Sequence, residues 1–216
     1  MKHRRFVARL LFITGAACIE VRGDLIQLAS RGTEFSHLQA NDGAGPNSIT
    51  LAIAKHPAWA DSFAGSSWVS YDITGDPSDP RYSEVNNGTI ITFKDMFFLP
   101  TAAASGILRV MADDSTAVIL NGVELASLAT STGTIACADV GIGCRADTAG
   151  LVDLTAALTE GWNTLEFHVA QQASGAFGLD YAGTITTVEI SAVPEPSSVL
   201  LLATIVAGVA ILTRRT

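Results

Sequence analysis

The sequence predicts an all-β body, an antiparallel β-sandwich. Three observations lead there. Short segments alternate apolar and polar residues between turn signals, as half-buried strands do. The 216-residue chain holds 19 glycines and seven prolines, enough to punctuate many turns. No long stretch carries the apolar period of an amphipathic helix.

The elements follow in chain order. Thr89-Ile-Ile-Thr-Phe-Lys94 precedes an apolar cluster, Met96-Phe-Phe-Leu99. In Ile107–Ala112, Leu108 and Val110 fall on one face and Arg109 on the other. Thr116–Leu120 and Val123–Ala126 flank Asn121-Gly122, the strongest hairpin signal in the chain. Asn-Gly suits both positive-φ positions of a type I′ turn. Asp153–Leu158 is at most a short helix before Gly161. In Thr164–Val169, Leu165, Phe167 and Val169 point inward, and Glu166 and His168 outward. Thr184–Ile190, rich in β-branched residues, closes the domain.

Charge divides the chain into a body and two ends. Residues 23–213 carry six basic and 20 acidic residues, a net −14, against −8 for the whole chain. An acidic body excludes a nucleic-acid binder, which needs a basic patch. Residues 1–23 read as a signal segment. Lys2, Arg4 and Arg5 precede the apolar run Leu10–Ala17, where Gly15 and Ala17 suit a signal peptidase. Residues 24–192 are the sandwich.

Residues 193–216 are a third kind of segment. Pro194-Glu195-Pro196 is a stiff linker that cannot enter a helix behind it. The apolar run Val199–Leu212 follows, a short candidate transmembrane helix, and then Arg214 and Arg215. This order resembles the PEP-CTERM sorting signal of Gram-negative bacteria that make extracellular polysaccharide. The resemblance implies an exosortase as partner, cleavage near the motif, membrane anchoring before it, and a final place at the cell surface or in the matrix. It implies nothing about the chemistry of the body.

A second resemblance lies within the body. Ala112-Asp113-Asp114, Val118, Leu120-Asn121-Gly122, then Val152-Asp-Leu-Thr155 and Gly161-x-Asn163-x-Leu165 look like phrases of galactose-binding-like jelly rolls. The fold so implied is jelly-roll-like. Gly161 permits a turn, and Asn163 can hydrogen-bond neighbouring backbone.

Site chemistry is sparse. Cys137 and Cys144, seven apart with Gly141 and Gly143 between, are expected to close a small disulfide loop in an oxidising compartment. No HExxH or Gly-x-Ser-x-Gly motif exists. Trp59, Trp68 and Tyr71 form an aromatic-rich stretch that could stack on sugar rings, or else fill the core. Asp72, Asp76 and Asp79 sit in a Gly/Pro loop as candidate Ca²⁺ ligands, or as a solvated acidic loop. The expected function is an exported, non-enzymatic β-sandwich contacting extracellular polysaccharide or serving as matrix. The alternative is a secreted hydrolase whose dispersed carboxylates no motif reveals.

The tail carries its own test. Exosortase sorting should remove Val199–Thr216 from the exported protein. Intact-mass spectrometry of the extracellular form checks this, and molecules still ending at Thr216 would count against it.

Overall fold

In the computed structural model, which describes residues 19–38, 48–127, 149–172 and 174–192, the alternating segments are strands. They begin with β1 (Ile19–Arg22), β2 (Leu25–Ala29), β3 (Phe35–Leu38), β4 (Ser48–Ile49), β5 (Leu51–Ala52) and β6 (Val69–Ser70). The long central strands are β7 (Ile90–Leu99) and β8 (Ala103–Asp113). The hairpin of β9 (Ser115–Leu120) and β10 (Val123–Ala126) follows, then β11 (Gly150–Asp153). After a 3-10 turn at Thr155–Ala157 come β12 (Gly161–Ala170), β13 (Gly178–Thr187) and β14 (Glu189–Ala192).

The chain divides into two compact units. One comprises Met1–Arg22 and Ile190–Thr216, and its described residues belong to the pairing of β1 with β14. The other, Gly23–Glu189, holds two antiparallel sheets. The first sheet has the order β10-β9-β12-β7-β3-β4. The second runs β11-β8-β13-β6-β5, with β2 also paired to β13.

The sequence alternation sets the register. Leu165, Phe167 and Val169 of β12 are fully buried between the sheets, with Ile91, Phe93 and Leu99 of β7 beside them. Leu108, Val110, Leu179, Tyr181 and Ile185 close the core from the other sheet. Across the gap the Phe167 and Tyr181 rings stack with centroids 4.5 Å apart. Each such side chain gains about 1.5–3 kcal/mol by leaving water.

The hairpin forms where expected. Asn121 (φ 52°) and Gly122 (φ 80°) hold the two left-handed positions between β9 and β10. Asn121 does more than turn. Its Oδ1 accepts from Thr164 N at 2.9 Å, and its Nδ2 donates to Asn163 Oδ1 at 2.8 Å and to Ala157 O at 2.9 Å. The fully buried Asn163 also accepts from Thr159 N at 2.9 Å and donates to Thr159 O at 2.7 Å and Gly161 O at 3.0 Å. The Asn-Gly and Gly-x-Asn phrases are therefore two ends of one hydrogen-bonded knot.

Residues 1–18 of the signal segment, Cys18 among them, with Cys137 and Cys144, Pro194-Glu195-Pro196 and the apolar run before Arg214 and Arg215, lie outside the described residues, while Ile19–Arg22, at the end of that segment, form β1 and pair with β14. No helix long and apolar enough to cross a membrane occurs among the described residues.

Truncating the centre of the core should be costly. Phe167→Ala is expected to lower unfolding stability by about 3–5 kcal/mol. Glu124→Ala on an exposed strand should change it by under about 0.5 kcal/mol. Urea unfolding followed by tryptophan fluorescence measures both.

Candidate functional site

The outer faces of the two sheets are treated differently. Over the second sheet, residues 53–68 fold back as a roof. Beneath it Trp59 and Trp68 pack with Met111 of β8 as an apolar cluster separate from the main core. The two indoles lie 4.3 Å apart and are 3% and 1% exposed. Gly178 of β13 makes the room, since a Cβ there would stand 3.0 Å from Trp59 and 3.2 Å from Trp68. Both indole N–H groups are satisfied, Trp59 Nε1 by Asp113 Oδ2 at 2.9 Å and Trp68 Nε1 by Ala60 O at 3.0 Å. Arg109 lies over the Phe63 ring at 4.5 Å. Asp180 pins the roof by accepting from Phe63 N at 3.1 Å and from Ser30 Oγ at 2.9 Å.

This corrects the expected aromatic platform. Trp59 and Trp68 present no face to a ligand, because the apolar face of β8 and β13 outcompetes solvent for them. Tyr71 is half-buried, its ring edge-on to Phe177 at 6.0 Å. Burial pushes its hydroxyl pKa up, aided by the charge of Asp72.

The acidic loop does not assemble either. Asp72 Oδ1 accepts from Ile73 N at 2.8 Å. Asp76 Oδ1 accepts from Ser78 N at 2.9 Å and Ser78 Oγ at 2.8 Å. Asp79 binds Arg81 through Oδ1 to N and Nε and through Oδ2 to Nη2 at 2.9 Å. These local hydrogen bonds hold the Asp76 and Asp79 carboxyls below the usual range. Each carboxylate serves its own turn. No group of three or more His, Cys, Asp or Glu suited to a metal ion exists among the described residues.

The first sheet keeps a bare stretch. On the outer face of β7 and β12, Trp162 is 66% exposed, Phe98 51% and Met96 55%. Trp162 faces Phe98 across the strands, with centroids 5.5 Å apart and ring planes at 68°. The next pairs down the strip are Thr164 with Met96 and Glu166 with Lys94. Lys94 Nζ meets Glu166 Oε1 at 2.7 Å, and Glu166 Oε2 lies 3.7 Å from His168 Nε2. In the Gly161-x-Asn163 phrase Trp162 is the unspecified residue. The signal was present. If Leu165 and Phe167 point inward, Trp162 points outward, and the same parity exposes Met96 and Phe98 beside the buried Phe97 and Leu99.

One carboxyl pair has unusual chemistry. Asp113 is hydrogen-bonded to Asp114, whose Oδ2 accepts from Gln172 N at 2.6 Å. Burial first, then the Asp114 charge, pushes the Asp113 carboxyl up to about 8. Two carboxyls in hydrogen-bond contact are closer than the ~5–9.5 Å that separates the acid and its partner in glycosidases. The pair serves the β8–β9 turn and the Trp59 indole.

No family model matches the chain, and no curated protein matches it. Solved structures do. An α-L-rhamnosidase from Streptomyces avermitilis, in complex with L-rhamnose, is 20% identical with a TM-score of 0.42. The match covers 63% of this chain but only 13% of the rhamnosidase. A family 35 carbohydrate-binding module from Clostridium thermocellum is 13% identical with a TM-score of 0.39, over 74% of this chain and 97% of the module. A CBM35 from Paenibacillus barcinonensis is 14% identical with a TM-score of 0.35, over 77% and 99%. All three TM-scores lie below 0.5.

Asp113 makes stability depend on pH. A carboxyl raised from 3.8 unfolded to about 8 folded favours the native state fully below pH 4 and loses that contribution as pH rises through 8. Asp113→Asn should remove this slope. It should leave the variant more stable than the parent at pH 9, on the order of a few kcal/mol. Urea unfolding at pH 5 and pH 9 measures the difference.

Proposed function

We propose that this chain is an exported, non-enzymatic β-sandwich that contacts carbohydrate through the outer face of β7 and β12. One observation carries the reading: an exposed Trp162–Phe98 pair, extended by Met96, stands on the two central strands of a sheet. Aromatic faces offer apolar area to the C–H side of a sugar ring at little entropy cost, because the strands already hold the rings. The Thr164 hydroxyl stands alongside to accept or donate hydrogen bonds with sugar hydroxyls.

The non-enzymatic reading draws support from the carboxylates. Among the described residues, Glu34, Asp76, Asp79 and Asp180 are engaged by neighbouring backbone or side-chain donors, and Asp113 is bound to Asp114 and Trp59. Export and exosortase sorting draw support from the basic N-terminus, the acidic body and the Pro194-Glu195-Pro196 tail with Arg214 and Arg215. On this reading the protein reaches the cell surface or the polysaccharide matrix of a Gram-negative bacterium.

The test uses the full chain in detergent on a glycan array. Trp162→Ala should lower the signal for bound glycans at least tenfold, and Phe98→Ala severalfold, while far-UV circular dichroism stays unchanged. Retained binding in both variants would overturn the placement of the site. Absence of any bound glycan would overturn the carbohydrate reading.

A further inference from the structure

We infer that the β7–β12 strip takes a single, soluble chain of uncharged sugars, not a polyanionic polymer and not a flat crystalline surface. This rests on the carbohydrate-contacting reading and specifies its ligand.

The ring geometry excludes a flat surface. Crystalline polysaccharide presents a plane, and gripping it takes aromatic faces that lie in one plane. The Trp162 and Phe98 planes stand 68° apart. One ring can form a floor while the other forms a side wall. That corner receives one chain and obstructs a sheet of chains. The strip then descends along the strands from Trp162 to Glu166, roughly 13 Å at the strand rise, a length for a short run of rings rather than one sugar.

The charges exclude a polyanion. A polymer of uronate or sulfated sugars needs cations free to meet it. The cation on the strip is Lys94, and Glu166 already neutralises it at 2.7 Å. The second oxygen of Glu166 is turned to His168 at 3.7 Å. One strand further out, Ile119 of β9 pairs with Glu166 on one side and with the exposed Glu124 of β10 on the other. The rim therefore adds negative charge, on a body already at −14. Glu166 is spoken for, so the strip does not select a cationic sugar either. What remains is apolar rings and neutral hydrogen-bonding groups, which match an uncharged chain.

A protein partner fits less well. A stable dimer buries about 800 Å² on each side. The strip's own strands offer three exposed apolar side chains, followed at once by an ion pair.

The test is affinity electrophoresis of the full chain in detergent through gels containing galactomannan, xyloglucan, alginate or polygalacturonate, with a pull-down on microcrystalline cellulose. Galactomannan or xyloglucan should retard the protein at physiological ionic strength, and Trp162→Ala should abolish the retardation. Alginate, polygalacturonate and cellulose should not hold it. Glu166→Gln, which frees Lys94, should raise retention on alginate relative to the neutral gels at least fivefold. Alginate retention of the parent equal to that on neutral gels would overturn the inference and leave the carbohydrate reading standing, as would preference for cellulose. No retention on any polymer, with light scattering showing a dimer that Trp162→Ala dissolves, would overturn both in favour of a second copy of this chain.

Discussion

Tyr181 is the residue on which the two sheets agree. It is fully buried on β13, and its ring stacks on Phe167 of the opposite sheet at 4.5 Å. Its hydroxyl reaches Asp95 Oδ2 of β7 at 2.8 Å and Glu34 Oε1 at 3.2 Å. One hydroxyl has one proton to give and faces two carboxyls. Burial raises the Asp95 carboxyl, and the hydrogen bond it accepts from Tyr181 opposes that rise. Glu34 in turn collects the backbone N–H groups of Arg31, Gly32 and Thr33 and the hydroxyl of Thr50. Gly32 (φ 73°) is needed there, because a Cβ would stand 2.5 Å from Ala52 N. A stack and a hydroxyl shared between two carboxyls thus fix the spacing of the sheets, the start of β3 and the approach of β5 together.

The acidity of the body takes on a structural meaning in this light. Glu34 and Asp180 are buried carboxyls that gather backbone donors where no strand partner is available, and Asp113 holds an indole. Asp76 and Asp79 do the same for exposed turns. A sandwich with many loops has many orphan N–H groups, and carboxylates are strong acceptors for them. Some of the net negative charge is therefore a by-product of loop architecture, and the outer strip of β7 and β12 is where charge was balanced instead.

Local pattern was legible where the period-2 rule applied. The hairpin at Asn121-Gly122, the inward set Leu165, Phe167 and Val169, and the short turn at Thr155–Ala157 all stand where the residues put them. The hydrogen-bonded knot of Asn121 with Asn163 explains why two separated phrases occur in one chain. What failed was the assignment of aromatic residues outside strands. Trp59 and Trp68 lie in irregular backbone or at its edge, where no alternation tells inside from outside. Their burial depends on Met111 and Gly178, which are distant in sequence and reveal nothing until β8 and β13 pair. Trp162 was readable from parity alone, yet clustering of aromatics along the chain drew attention to the wrong tryptophans.

The place of β12 in its sheet has a consequence for dynamics. It is flanked on both sides, by β7 over ten residue pairs and by β9 over six. β4 and β5 are two-residue strands at sheet edges. Local opening starts where little is buried and few ladder bonds hold, so the edges fray at low free energy while β12 opens only with the whole domain. A ligand on β12 would therefore have no loop to close and no segment to order. Its occupancy would leave the fast amide exchange at the edges untouched and appear instead in the slowest-exchanging amides, those that report on global unfolding.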